Sequence, residues 1–200
     1  MATYRSRRIF PVILVIIIIA IAIVGLVYVI QILFFSGGGN ISLQADTSRS
    51  SLINTSADRA VSVSVRGHII ADEDFRSYQI RVTPNERVFT TYRGYQKDTI
   101  ENDTLENNIP AYEQFVYALS RAGLMNSSAF TGVANDTRGI CAAGFLYEFQ
   151  IYQADKSLKM LWTTSCSASR GSLGQGAKAL ESLFIEQIPD AQKKIGRLWG

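Results

Sequence analysis

The sequence predicts an α+β domain tethered by a single transmembrane helix, and three observations carry this prediction. An apolar run without any charged residue extends from Ile9 to Phe35. Beyond it, several segments alternate apolar and polar residues with the period of two that is typical of half-buried strands. Two later segments repeat apolar residues at intervals of three and four, as amphipathic helices do. The expected fold is an antiparallel sheet of about five strands with two helices packed on one face.

The chain is predicted to have four parts. Residues 1–8 form a cytoplasmic tail, 9–35 the transmembrane helix, 36–59 a flexible polar spacer and 60–200 an extracytoplasmic α+β domain. As a helix, the apolar run would reach about 40 Å, which is enough to cross a hydrocarbon core of about 30 Å with some tilt. The spacer is rich in glycine, serine and threonine, so it has too few apolar side chains to bury a core.

The orientation in the membrane is predicted from charge. Arg5, Arg7 and Arg8 precede the apolar run, and the first charged residue after it is Asp46. The positive-inside rule therefore places the N-terminus in the cytoplasm and the domain outside the cell membrane. Those arginines are three of the 20 basic residues, so the rest of the chain has as many basic residues as its 17 acidic ones. This balance excludes a strongly basic outer domain and argues against nucleic acid as a partner.

A cleaved signal peptide is the alternative reading of the apolar run. Ala20 and Ala22 form an Ala-x-Ala pattern after a plausible apolar core. However, the run continues from Ile23 to Phe35 without a polar break, whereas the apolar region of a signal peptide has about 7–15 residues. The sequence therefore favours an uncleaved anchor, with membrane lipid as its first partner.

The strands are predicted from the alternation of residue types. The clearest begins at Val61, where Val61, Val63 and Val65 alternate with Ser62 and Ser64. Further strands of the same kind are predicted over 77–82, 87–95, 141–151 and 158–166. Residues 96–108 are polar and are expected to form a loop.

Two helices are predicted from their boundaries and their apolar stripes. The first begins near Ile109, followed by proline, and ends near Gly123 as a left-handed cap. The last begins at Ser172, whose position three residues before Gln175 predicts a capping box. Pro189 interrupts this last helix and leaves a short amphipathic tail.

A disulfide between Cys141 and Cys166 is predicted. They are the only two cysteines, they flank a predicted hairpin, and they lie on the side of the membrane where disulfides form. With 153–156 as a four-residue turn, Cys166 would lie opposite Ala143 on the neighbouring strand. The alternative is two buried free thiols.

The sequence predicts no catalytic, cofactor-binding or metal site. His68 is the only histidine, it lies on the polar face of the first strand, and no cysteine stands near it with the spacing of a zinc site. The carboxylates of 72–74 lack the spacing of a calcium loop, so they are expected to form a solvated turn. The glycine-rich stretch 171–178 resembles a phosphate loop only superficially, because its Lys178 does not directly follow the last glycine.

The remaining candidates are surface contacts. Tyr92, Tyr95 and Tyr152 are expected to point outward with His68, where aromatic rings can stack on sugars or anchor a protein partner. The predicted function is a membrane-anchored binding or scaffolding domain whose partner is a protein or a surface polymer. The alternatives are a hydrolase-like extracytoplasmic enzyme acting on cell-wall or surface polymer, and a structural subunit of a membrane complex.

The orientation can be tested with protease on intact cells, or on spheroplasts where an outer membrane intervenes. We expect the chain beyond Phe35 to be digested and a tag at the N-terminus to be protected, because the arginines hold the tail inside. An N-terminal tag that is cleaved under these conditions would contradict the predicted orientation.

Overall fold

The computed structural model describes residue 21 and residues 49–167, 171–174 and 176–200. Apart from Ile21, the predicted transmembrane helix over 9–35 lies outside this part of the chain, and so do Arg5, Arg7 and Arg8. Among the described residues, no helix is long and apolar enough to cross a membrane. The membrane anchor and its orientation therefore stay predictions.

The core of the domain is one antiparallel sheet of six strands in the order β4-β3-β2-β1-β5-β6. The strands are β1 Arg59–Arg66, β2 Arg76–Val82, β3 Glu86–Arg93, β4 Asp98–Glu106, β5 Leu146–Gln153 and β6 Lys156–Thr164. The β2–β3 connection has three residues, the β5–β6 connection has two, and both form hairpins. Strand β1 lies between these hairpins, paired with both β2 and β5. The predicted α+β class with an antiparallel sheet is confirmed.

The strand β4 was not expected, because residues 98–106 read as a polar loop. It is an edge strand that pairs only with β3. Charged side chains are common on such edges, where they discourage pairing with another chain. Glu101 and Asp103 alternate with Asn102 and Thr104 along it. Because both faces carry polar residues here, the sequence shows no alternation of apolar and polar residues that would predict a strand.

The helices contribute to a single core on one face of the sheet. They are α1 Arg49–Ile53, α2 Ile109–Arg121, α3 Ala177–Ile185 and α4 Ala191–Trp199. Phe115 of α2 and Phe184 of α3 meet edge to face at 5.0 Å between ring centroids, and Phe184 lies 6.1 Å from Phe149 of β5. The valines of β1 that the alternation assigned to the core are almost completely buried in the same cluster.

The first predicted helix is confirmed, whereas the start of the last one is wrong. Asn108 caps α2 by accepting a hydrogen bond from the N–H of Ala111. The helix α3 begins at Ala177 rather than at Ser172. The hydroxyl of Ser172 instead accepts from the N–H of Trp162, so that this segment lies along the edge of β6. Gln175, the other half of the predicted capping box, lies outside the described residues.

Part of the predicted spacer belongs to the folded domain in the structure. Residues 49–53 form α1, and Leu52 is buried in the core cluster. Arg59, the first residue of β1, donates a hydrogen bond to the hydroxyl of Ser51. The buried leucine and this hydrogen bond attach α1 to the domain. The polar composition of the segment predicts a flexible spacer, so the helix was not predicted.

The disulfide between Cys141 and Cys166 is confirmed, and its two Cα atoms lie 5.6 Å apart. The predicted strand position of Cys141 is wrong. This residue precedes β5 in a turn closed by a hydrogen bond from the N–H of Gly144, and its φ of +58° is left-handed.

The predicted register of the hairpin holds only at its turn, where Gln153 pairs with Lys156. A β-bulge close to the turn adds one residue to β6, and from there Phe149 faces Leu161. Odd-numbered residues of β6 therefore point to the core, whereas the predicted register, with Cys166 opposite Ala143, would place the even-numbered residues there.

Replacing Cys141 and Cys166 together by alanine should lower the free energy of unfolding. The disulfide has a sequence separation of 25, for which the chain-entropy model gives about 3–4 kcal/mol. Urea unfolding of the full chain in detergent, followed by tryptophan fluorescence, measures this change. An unfolding free energy equal to that of the oxidised wild type would contradict the stabilising role.

Candidate functional site

A groove runs between α4 and the sheet, and we call it the α4 groove. It consists of two adjoining cavities of about 190 and 340 Å³ that share Arg76 and Leu198. The smaller cavity is lined by Gly67, His68, Ile70 and Phe145, and the larger one by the ends of β3 and β4. The groove is thus formed by segments that are distant in the sequence.

One end of α4 is fixed by Trp199. Its ring packs edge to face against Phe145 at 5.1 Å and against Tyr78 at 6.4 Å between centroids. The ring also covers Gly67, where a Cβ atom would lie 2.6 Å from the ring of Trp199. A glycine is therefore required at this close approach, since no side chain fits between the backbone and the ring.

The middle of α4 is fixed by charge. Lys194 pairs with Asp103 and, at 3.0 Å, with Glu101, both on β4. The hydrogen bonds that Lys194 donates to the carboxylates of Asp103 and then Glu101 raise the pKa of its amine above the usual value. Arg197 lies 3.8 Å from the second carboxylate oxygen of Glu101. These contacts hold the helix against the edge strand.

Two arginines lie side by side in the groove without a carboxylate partner. Arg76 of β2 and Arg93 of β3 are directly opposite each other across the hairpin. Arg76 donates to the backbone carbonyls of Glu73 at 2.6 Å and Phe75 at 3.0 Å. The side chain of Arg93 makes no hydrogen bond or ion pair with any described residue, although Asp98 is its neighbour on β4. Like charges at directly opposite positions of two strands are unfavourable. An anion bound between the two guanidinium groups would reduce this repulsion and accept hydrogen bonds from their unused N–H groups.

An apolar tip, made of Ile69, Ile70 and Tyr95, borders the groove. These side chains are 43%, 48% and 48% exposed, respectively. The hydroxyl of Tyr95 accepts from the N–H of Ile70 and donates to its carbonyl, at 3.1 and 2.8 Å. The ring of Tyr95 stacks on Phe75 at 4.1 Å. The tip is therefore held in one conformation although it is exposed.

The tip is also tied to the disulfide and to the acidic turn. The N–H of Ile69 donates to the carbonyl of Ala142, the residue after Cys141, at 2.8 Å. The carboxylate of Asp72 accepts from the N–H of Tyr95 at 2.7 Å. The segment 72–74 is an exposed 3-10 turn, and one of its carboxylates has a structural partner. Within the described part of the chain, no group of three or more His, Cys, Asp or Glu side chains could hold a metal ion.

The structure brings together two of the four predicted surface contacts. His68 lines the smaller cavity, with its ring 5.5 Å from that of Phe145, and Tyr95 forms part of the tip. Tyr92 and Tyr152 lie on the opposite face of the sheet. There Lys97 lies 5.6 Å from the ring centroid of Tyr92, and Arg81 lies 4.7 Å from that of Tyr152. No local sequence pattern predicts that Arg76 and Arg93 lie together, because their proximity depends on the register of the hairpin.

Neither the scan against protein-family models nor the search of curated proteins finds a match for this chain.

The close approach of Trp199 to Gly67 can be tested with two glycine variants. Gly67→Ala should lower the free energy of unfolding by about 1–3 kcal/mol, because the added methyl group displaces the ring. Gly196→Ala is the matched control, since its Cβ would meet nothing within 4 Å inside α4. The control should raise the free energy by about 0.5–1 kcal/mol. Urea unfolding measures both, and equal effects would contradict the contact.

Proposed function

We propose that this chain is a single-pass membrane-anchored protein whose extracytoplasmic domain binds an acidic segment of a partner protein in the α4 groove. The predicted anchor over 9–35 and the arginines before it supply the location. The disulfide between Cys141 and Cys166 supports it, because disulfides persist in oxidising compartments outside the cytoplasm.

The observation that carries the proposal is the arginine pair. Arg76 and Arg93 lie opposite each other in the groove. The groove is lined by more basic than acidic residues: Arg76, Arg93, Lys194 and Arg197 are basic, and Glu101 and Asp74 are acidic. Lys194 and Arg197 are already near Glu101, whereas Arg93 has no partner among the described residues. A carboxylate entering the groove would separate the two guanidinium charges and accept hydrogen bonds from both.

The apolar tip favours a protein partner over a carbohydrate polymer. Ile69 and Ile70 expose aliphatic surface at one side of the groove, and Ile100 of β4 is 54% exposed at the other. Aliphatic side chains provide no hydrogen bonds for sugar hydroxyls, but they bury well against apolar side chains of a peptide. A charged centre flanked by apolar contacts is typical of a site for a peptide with acidic and aliphatic residues.

The alternatives have less support from the described residues. A hydrolase needs titratable groups with pKa values moved toward neutrality at a cleft. In the α4 groove, the group with a shifted pKa is Lys194, and its ion pairs raise that pKa, away from use as a base. The structural-subunit alternative depends on the apolar run, which lies outside the described residues apart from Ile21.

Crosslinking on intact cells tests the proposal. A photoreactive amino acid replaces Ile70 in the tagged full chain, and a crosslinked protein is identified. The double variant Arg76→Gln/Arg93→Gln should weaken partner binding by at least about 100-fold, because two charge-assisted hydrogen bonds of about 1.5–3 kcal/mol each are lost. The crosslink should then disappear.

The matched control removes two positive charges elsewhere. Arg121 and Lys156 are exposed and lie outside the groove, so Arg121→Gln/Lys156→Gln should retain the crosslink. A crosslink that survives in the groove variant would contradict the proposed site. A crosslinked species that resists protease, but is released by wall-degrading enzymes, would show a surface polymer instead of a protein.

A further inference from the structure

A second cavity, separate from the α4 groove, lies beside the edge strand β6, and we call it the β6 cavity. Its volume is about 640 Å³, and it lies between residues 157–160 of β6 and the loop of residues 125–135. Cavities of about 300–1,000 Å³ are typical of small-molecule sites. Ser128 and Thr131 line it, together with the apolar residues Phe130 and Met160.

The β6 cavity contains a lysine in an unusual environment. Lys159 lies opposite Ile151 on the core-facing side of β6 and is only 8% exposed. Its amine makes no hydrogen bond or ion pair with any described residue. Burial lowers the pKa of Lys159 below its usual value. An ammonium in a largely buried side chain is less well solvated than one on an open surface, so an anion in the cavity would stabilise it.

The amine of Lys159 is accessible from the cavity. Its Nζ atom has no partner and yet is not among the fully buried polar atoms, so some of its surface remains open. The backbone bulge near the turn explains this position, because the added residue turns Lys159, rather than Leu158, toward the helices. Strand β6 therefore places the ammonium group of Lys159 at the β6 cavity.

We propose that the β6 cavity binds a small hydroxylated carboxylate, with the carboxylate against Nζ of Lys159. The anion supplies the partner that the ammonium lacks, and a charge-assisted hydrogen bond in a partly buried site is stronger than one in water. Ser128 and Thr131 supply hydroxyl groups at the cavity wall for a ligand hydroxyl, and Phe130 and Met160 supply apolar surface for its carbon atoms. This site is independent of the partner proposed for the α4 groove.

The test uses lactate as the probe and thermal unfolding of the full chain in detergent as the measurement. Tryptophan fluorescence reports on the domain, because both tryptophans, Trp162 and Trp199, belong to it. Lactate, at constant ionic strength, should raise the Tm of the wild type. Lactamide, which keeps the hydroxyl group but has no charge, should leave the Tm unchanged.

Two lysine variants locate the effect. Lys159→Met should raise the Tm without ligand, because it removes an unpartnered cation, and should weaken lactate binding by about 10- to 100-fold. Lys156→Met, on the exposed turn of the same hairpin, should respond to lactate like the wild type. The proposal is overturned if lactate stabilises Lys159→Met as much as the wild type, or stabilises none of the proteins. A Lys159→Met protein less stable than the wild type would also overturn it, by showing a structural role for the amine.

Discussion

The contact between the ring of Trp199 and the backbone of Gly67 is the constraint on which the α4 groove depends. The helix α4 has nine residues, and a helix of that length is unstable in water unless tertiary contacts hold it. Trp199 fixes its last turn on the sheet, and Lys194 fixes its middle on β4 through Glu101 and Asp103. Between these two contacts the helix forms one wall of the groove, with Leu198 lining both cavities.

The opposite wall combines rigidity with an unfavourable arrangement of charge. Tyr95 and the turn after Cys141 hold the backbone of Ile69 and Ile70 by hydrogen bonds, so the segment that carries these exposed side chains is constrained in the free domain. Such preorganisation lowers the entropy lost on binding. Arg76 is held by the backbone carbonyls of Glu73 and Phe75, whereas Arg93, directly opposite it, has no partner among the described residues. Rigid apolar contacts beside unpaired positive charge are what an acidic peptide segment would use.

The periodic parts of the fold could be predicted from the sequence, whereas its pairings could not. The valines from Val61 and the stripe of α2 are local patterns, and the structure confirms them. The strand β4 was missed because Glu101 and Asp103 face α4 rather than an apolar core. The bulge in β6 changes which residues face inward, and no local signal marks it. His68 and Tyr95 could be predicted as surface contacts from their own positions in the sequence. The arginine pair could not, because it depends on the register of the β2–β3 hairpin.

Amide hydrogen exchange of the full chain in native membranes, with and without the partner bound, is the most direct test of the α4 groove as the binding surface. We expect the partner to slow exchange in two separate segments, residues 67–76 and 191–199, since these form the two walls. Raising the salt concentration should remove this protection, because the attraction is largely between charges. Protection confined to the opposite face of the sheet, around Tyr92 and Tyr152, would contradict the α4 groove as the binding surface.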